Sequence, residues 1–198
     1  MAIQGIELTG LDIVPGMISH AKSKAKDLAI EWVIEDARTF NLGRRFKFIF
    51  ESGATFQHLL ERSDQEAMLA HVRDHLTDDG RFVVSSIFPH ADVVVDEVNE
   101  QQWFTYHTHE GREVRVSGTQ HYDALRQIKT ETAYRKWHDN QGNEVVKVAP
   151  LELRYTYPQE MESLVHHNGF MVVERYGDMD FSPLTAESDH LIYVCTKR

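Results

Sequence analysis

Short apolar runs alternate with amphipathic segments along the first half of the chain. Runs over 6–11, 30–34, 46–50 and 81–86 predict four strands, and the two with the sequences IEWVI and FKFIF are apolar on both faces. Strands that are covered by helices on both sides have this composition. With a helix predicted after the first run and another after the third, the order is β-α-β-β-α-β. This order indicates an α/β fold with a doubly wound sheet.

The helices of this half are predicted from their start and stop signals. Pro15 suits a first helical position, and the apolar face that follows it is formed by Met17, Ala21, Ala25 and Leu28. Ser63 and Glu66 have the spacing of a capping box, which predicts the start of the second helix there and its end at 78–80.

The pattern changes after residue 89. Residues 90–110 predict a helix, and residues 112–157 predict an antiparallel meander with a turn at 139–143. We therefore expect a single domain over 1–198 with a helix and meander inserted at 90–157. This insertion would cover an acceptor site or form a dimer contact.

The chain closes with a helix and two strands. Pro158 is placed to begin the helix, and strands are predicted over 170–176 and 191–196. The segment between these strands is too short for a crossover helix with its turns. We expect the two strands to pair antiparallel.

Composition excludes several classes of protein. The formal net charge of −10 over 198 residues argues against general binding to nucleic-acid backbones, which requires a basic face. The single cysteine, Cys195, cannot form an internal disulfide and is expected in the core. No apolar run approaches the roughly 20 residues that span a bilayer, and the amino terminus does not have the pattern of a signal peptide. We expect a cytoplasmic protein without nucleic-acid or membrane partners.

Asp12 is the first candidate for chemistry. It follows the first predicted strand directly and precedes a helix. In nucleotide-binding α/β folds an acid at this place binds a ribose, because one carboxylate can accept hydrogen bonds from both vicinal hydroxyls. The ribose of a nicotinamide cofactor could bind to the same carboxylate.

Five segments in their order and spacing resemble the class I S-adenosylmethionine-dependent methyltransferases of the small-molecule branch. They are GLDIVPGMISHAKSKA, IEDARTFNL, FKFIFESGATFQHL, HLTDDGRFVVS and the end of the chain from ELRYTYPQEM onward. The resemblance implies a Rossmann-like, mostly parallel sheet of seven strands with an antiparallel final strand. It also implies S-adenosylmethionine as cofactor.

The same resemblance implies roles for residues at the strand ends. Asp12 with Ile13 would bind the ribose, and Asp36 with Ala37 would flank the adenine. The loop that faces the transferred methyl group would be Glu51, Ser52 and Gly53, with His58 just beyond it as a base or acceptor contact. Glu51 and His58 are thus the candidate catalytic residues.

The glycine-rich loop that these methyltransferases carry after their first strand is absent from the sequence. Only Met1–Gly5 precede the first predicted strand. We expect a chain that lacks the first strand, as a natural truncation, a mis-started reading frame or a fragment, with impaired cofactor binding.

The inserted segment supplies candidates for an acceptor pocket. They are Trp103, His121, Arg154 and Tyr155, together with Tyr106 and Tyr157. If the strand is regular, Arg154 and Tyr155 face opposite sides and cannot both line one cavity. No metal is predicted, because His71 with His75 and His107 with His109 offer two ligands each and no obvious third.

Three functions remain open. The first is methyl transfer from S-adenosylmethionine to an N or O nucleophile of a small molecule. The second is a non-catalytic or partner-dependent protein that assembles as a homodimer, because strands lacking a neighbour are prone to associate. The third is a nicotinamide-dependent oxidoreductase, which the absence of a Gly-x-Gly-x-x-Gly turn and the antiparallel final pair disfavour.

Overall fold

The protein is described by a computed structural model that covers residues 4–25 and 27–198. Its helices are α1 (Pro15–Lys24), α2 (Arg62–His75) and α3 (Pro158–His167). Its strands are β1 (Leu8–Asp12), β2 (Ile30–Ile34), β3 (Phe46–Phe50), β4 (Leu76–Ile87), β5 (Glu97–His107), β6 (Glu113–Asp123), β7 (Ile128–His138), β8 (Glu144–Arg154), β9 (Phe170–Tyr176) and β10 (His190–Lys197). A 3₁₀ helix, Thr55–His58, precedes α2.

The strands form three sheets. β1 and β2 pair parallel, and a second sheet has the order β3-β4-β10-β9. Within it, β3 and β4 are parallel, whereas β10 is antiparallel to both β4 and β9. The predicted antiparallel pairing of the last two strands is therefore confirmed. The third sheet is the meander β5-β6-β7-β8, and its turn between β7 and β8 lies at the predicted 139–143.

β1–β2 and the four-stranded sheet are joined by side chains rather than by a ladder. Arg44 donates hydrogen bonds to Thr9 of β1 and to Glu31 of β2. Leu11 of β1 packs against the main core. β1 and β3 each pair with one neighbouring strand among the described residues. They therefore do not share the continuous sheet that the resemblance implies.

The main core lies where α2 and α3 cover one face of the four-stranded sheet. Its fully buried side chains include Leu69, Val72, Phe82, Val84, Val165, Phe170 and Tyr193. The opposite face of the sheet is open at β3, where Phe48 and Phe50 stack with ring centroids 5.6 Å apart and are 45% and 46% exposed. The prediction that helices cover both faces of FKFIF is therefore wrong for the face that carries Phe48 and Phe50.

The predicted helix at 90–110 is wrong over most of its length, because β5 occupies 97–107. Val98 and the run Trp103 to Tyr106 are β-branched or aromatic, which favours a strand wherever a neighbour can pair with it. β6 supplies that neighbour in an antiparallel ladder with two register shifts. Apolar positions over such a short segment fit both periods, so the pattern alone could not decide.

The helix limits differ in detail from the sequence prediction. Pro15 begins α1 as expected, but Met17 is 55% exposed and Ile18 is the buried residue of this helix. The capping box at Ser63 is wrong, because α2 already begins at Arg62 and Glu66 accepts a hydrogen bond from the Arg62 side chain. α2 also ends at His75, where the ring nitrogen Nε2 accepts the Leu42 N–H at 3.0 Å, and β4 starts at once.

Within the described residues, no helix is both long enough and apolar enough to cross a membrane.

Candidate functional site

Asp12 lies at the carboxyl end of β1, beside Ile34 at the end of β2. Its Oδ1 accepts a hydrogen bond from the Val14 N–H at 2.8 Å, which turns the chain into α1 at Pro15. No group of the described residues donates to its other oxygen, Oδ2. The carboxylate is therefore held by its own backbone while one oxygen can still accept hydrogen bonds from a ligand. Ile13, the next residue, is 56% exposed.

Asp36 lies just beyond the end of β2 and is bound by Arg38. The Arg38 Nε lies 3.0 Å from both carboxylate oxygens, its Nη2 lies 2.6 Å from Oδ2, and its backbone N–H donates to Oδ1 at 2.8 Å. These bonds, first of all the side-chain bonds, lower the pKa of Asp36 from its ordinary value. The adjacent Ala37 packs against the main core. Asp36 therefore fixes the shape of this loop.

Arg38 also connects this loop to the start of α2. Its Nη1 lies 3.1 Å from the Asp64 Oδ2, and Asp64 is in the first turn of α2. α2 follows the carboxyl end of β3 in the chain. This ion pair therefore joins the loop after β2 to the helix that follows β3. We call Asp12, Asp36 and Glu51 the strand-end acids.

Glu51 follows β3 and bridges to β4. Its Oε1 accepts hydrogen bonds from the Ser85 backbone N–H at 2.5 Å and from the Ser85 hydroxyl at 2.7 Å. Its Oε2 is buried and has no hydrogen-bond partner among the described residues. One carboxylate oxygen is thus fully used to hold the strand ends together, and the other is unsatisfied.

The loop after Glu51 turns sharply. Gly53 has φ +70° and Ala54 has φ +58°, so two successive residues are left-handed, a conformation that costs little only for glycine. The Thr55 hydroxyl donates to the Ser52 carbonyl at 2.7 Å and closes the turn. Ser52 and His58 are both exposed at this end of the sheet.

Gln57 was missed by sequence reasoning. Its side chain is almost completely buried, accepts the Ile87 N–H at 2.8 Å and donates to the Arg154 carbonyl at 3.3 Å. It therefore joins the end of β4 to the end of β8, and with them the strand-end acids to the meander. A glutamine between Phe56 and His58 gives no sequence signal of such a role.

Arg154 and Tyr155 face different surroundings, as the strand alternation predicts. The Arg154 guanidinium donates to the Leu60 carbonyl at 3.1 Å and pairs with Glu160 at 3.5 Å. Tyr155 is buried and meets the Tyr122 ring edge-on, and burial raises the pKa of Tyr155 to about 12. Arg154 thus lies by the 3₁₀ helix, whereas Tyr155 belongs to the packing of the meander.

Trp103 and His121 lie within the meander. The Trp103 ring covers Gly118, where a Cβ would come within 2.3 Å of it. His121 is exposed, and its Nδ1 lies 3.0 Å from the Asp96 Oδ1, which also accepts the Tyr122 N–H at 2.8 Å. The structure therefore places Glu51, Ser52, Gly53 and His58 in one segment, which Gln57 joins to the Arg154 carbonyl, while Trp103, His121 and Tyr155 are placed by the meander.

The strand ends present oxygen acceptors rather than a metal centre. In the part of the chain that the structure describes, no three side chains of His, Cys, Asp or Glu are grouped as a metal would require. The open oxygen of Asp12 suits a pair of ribose hydroxyls, and the unsatisfied oxygen of Glu51 suits a cationic neighbour. These acceptor oxygens suit a ligand that carries vicinal hydroxyls and a positive charge.

Residues 1–80 match a protein family that is described as a methyltransferase domain. A curated relative, the malonyl-[acyl-carrier protein] O-methyltransferase of Anoxybacillus flavithermus, is 40% identical over 68 residues. That alignment covers 34% of this chain and only 26% of the relative's length.

Solved structures show that the fold extends beyond the matched segment. The chain superposes on the CcbJ methyltransferase of Streptomyces caelestis with a TM-score of 0.82 at 22% identity, covering 99% of this chain and 76% of that one. It superposes on an S-adenosylmethionine-dependent methyltransferase of Clostridium acetobutylicum with a TM-score of 0.80 at 15% identity, covering 96% and 74%.

A third solved structure is the sugar N-methyltransferase KedS8 of Streptoalloteichus, which matches with a TM-score of 0.74 at 16% identity over 96% of this chain and 70% of that one. These similarities confirm the α/β fold class. Together with the family match, they confirm the resemblance to class I S-adenosylmethionine-dependent methyltransferases.

Proposed function

We propose that this protein is a methyltransferase that binds S-adenosylmethionine and directs transfer of its methyl group to an N or O nucleophile of a small molecule. The observation that carries this proposal is Asp12, whose Oδ1 is held by the Val14 N–H while Oδ2 stays available at the end of β1. This residue lies inside the segment that matches the methyltransferase family. An acid at this place in an α/β fold is suited to both hydroxyls of a ribose.

Each of the strand-end acids, with its neighbours, would bind a different part of the cofactor. In this proposal Asp12 and Ile13 hold the ribose, Asp36 and Ala37 border the adenine, and Glu51, Ser52 and Gly53 lie towards the methyl group. The bound cofactor supplies an electrophilic methyl group on a sulfonium. The chain's own contribution is to align the acceptor and exclude water, and such positioning supplies most of the catalysis in a displacement of this kind.

The acceptor side of the site is proposed to lie between the 3₁₀ helix and the meander. Gln57 and Arg154 connect these two parts, and His58 and His121 are exposed imidazoles that can take a proton from a protonated acceptor. Trp103 and Tyr155 would support this cover from within the meander. The names of two relatives, a sugar N-methyltransferase and an O-methyltransferase, support both nitrogen and oxygen as acceptor atoms.

Cofactor binding tests the proposal most simply. We expect the purified protein to bind S-adenosylmethionine and S-adenosylhomocysteine in isothermal titration calorimetry. Asp12→Asn retains an oxygen for the Val14 N–H but replaces the free oxygen by a donor, so both affinities should fall about 10-fold or more. No binding of either ligand to the wild-type protein at millimolar concentration would refute the proposal.

A folding control accompanies this experiment. Asp92→Asn makes the same change at an exposed carboxylate without an ion pair among the described residues. It should bind both ligands as the wild type does. Equal losses in the two variants would show that the effect at Asp12 is not specific to the site.

We propose secondly that the chain associates, as a homodimer or with another polypeptide. Two observations favour association: β1 and β3 each pair with one strand among the described residues, and Phe48 and Phe50 are about half exposed. The meander is a further candidate surface for a dimer contact. A strictly monomeric sedimentation profile of the purified chain, unchanged up to high micromolar concentration, would refute the homodimer.

A further inference from the structure

Glu51 is a partly buried carboxylate without a cationic partner. Both hydrogen bonds to its Oε1 come from Ser85, the backbone N–H at 2.5 Å and the hydroxyl at 2.7 Å. Its Oε2 is buried and accepts no hydrogen bond, and no Lys, Arg or His among the described residues forms an ion pair with it. Asp36 provides the contrast, because Arg38 neutralises it through both oxygens.

Hydrogen bonds compensate only one oxygen of the Glu51 carboxylate, so its buried Oε2 raises the free energy of the empty site. Transfer of a charge out of water is unfavourable unless an opposite charge or hydrogen bonds compensate it. The attraction to a cation that arrives nearby is correspondingly strong, because the surrounding protein screens it less than water does. A ligand that brings positive charge to the end of β3 is therefore favoured over a neutral ligand of the same shape.

We propose that Glu51 recognises the positive charge of the cofactor's methionine portion and thereby selects the charged cofactor over neutral adenosyl compounds. The inference rests on the proposed function. It assigns Glu51 an electrostatic role through space and does not require direct contact of Oε2 with the ligand. Two groups of S-adenosylmethionine could be the source of the charge, the sulfonium and the α-ammonium.

Three ligands separate these sources. S-adenosylmethionine carries both cations, S-adenosylhomocysteine carries only the ammonium, and 5′-methylthioadenosine carries neither. Titration calorimetry compares their affinities for the wild-type protein and for Glu51→Gln, which keeps an oxygen for Ser85 and removes the charge. We expect the affinity for S-adenosylmethionine to fall about 10- to 100-fold and that for methylthioadenosine to change less than about threefold.

Each outcome decides a point. A loss confined to S-adenosylmethionine assigns the sulfonium, and an equal loss for S-adenosylhomocysteine assigns the ammonium. No loss for either ligand overturns the inference, and so does an equal loss for all three, because that result indicates a change of shape rather than of charge. If the wild-type protein binds none of the three ligands, the proposed function itself fails.

Two further variants guard against a structural artefact. Glu187→Gln makes the same change of net charge at an exposed loop residue and should leave all three affinities unchanged. Glu51→Asp retains the charge, so it should keep the preference for S-adenosylmethionine over methylthioadenosine even where both bind more weakly. Loss of that preference in Glu51→Asp would contradict the inference. This test remains valid if Glu51→Gln does not fold.

Discussion

The strand-end acids differ in what already holds them, and this difference decides what each can offer to a ligand. Asp12 uses one oxygen to cap its own turn, Glu51 uses one oxygen on Ser85, and Asp36 uses both oxygens on Arg38. Only Asp12 and Glu51 keep an oxygen without a protein partner among the described residues. In the proposed function these two acids would therefore recognise the cofactor, whereas Asp36 fixes the shape of its own loop through Arg38.

The ion pair at Asp36 predicts a pH-dependent part of stability. Arg38 lowers the pKa of Asp36, so the native state binds this proton less readily than the unfolded chain does. The stabilisation is complete above the unfolded pKa, near 3.9, and is lost as the pH falls through the lowered native pKa. Asp36→Asn should thus lower the free energy of urea unfolding at pH 7 and have progressively less effect towards pH 2.5.

The control for this prediction is Asp92→Asn, whose carboxylate forms no ion pair among the described residues. Its effect should be small at every pH. If Asp36→Asn destabilises the protein equally at pH 7 and pH 2.5, the stabilisation does not come from the charged form of Asp36.

At the level of elements, the meander depends on one close approach. A Cβ on Gly118 of β6 would lie 2.3 Å from the Trp103 ring of β5 and 2.6 Å from the Thr132 carbonyl of β7. The glycine therefore allows the indole to lie flat on the sheet between two ladders. The same ladders connect through β8 and Gln57 to the strand ends, so the packing at Gly118 supports the proposed acceptor cover.

Gly118→Ala tests this packing. The added methyl group meets backbone on one side and a large ring on the other, so we expect a loss of about 1–3 kcal/mol in the free energy of unfolding, together with a change in tryptophan fluorescence. Gly16→Ala is the matched control, because a Cβ there meets nothing within 4 Å and the residue lies in α1. It should be neutral or stabilising by up to about 1 kcal/mol. Equal effects of the two variants would contradict the packing described.

At the scale of the whole molecule, the α/β order and the antiparallel final pair could be predicted from the sequence. The signals were strong there: Pro15 and Pro158 mark helix starts, and the segment before β10 is too short for a crossover. The strand at 97–107 could not be separated from a helix, because the ladder of β6 decides it. A register between distant strands leaves no local trace in the sequence.

The site was predictable to the extent that chemistry follows strand ends. Asp12 and Glu51 were proposed because each directly follows an apolar run, and Asp36 because it follows such a run after Glu35. The bonds from Ser85 to Glu51 and from Ile87 to Gln57 could not be predicted, since they form only in the folded sheet and neither Ser85 nor Gln57 belongs to a motif. The separation of β1–β2 from the four-stranded sheet is likewise a property of the fold and not of any segment.

A crystal structure with S-adenosylhomocysteine would test the central claim most directly. The account predicts the ribose hydroxyls within about 2.6–3.2 Å of the Asp12 carboxylate, with the adenine beside Ala37 and the sulfur towards Glu51. A ligand bound elsewhere, or one whose ribose makes no contact with Asp12, would contradict it.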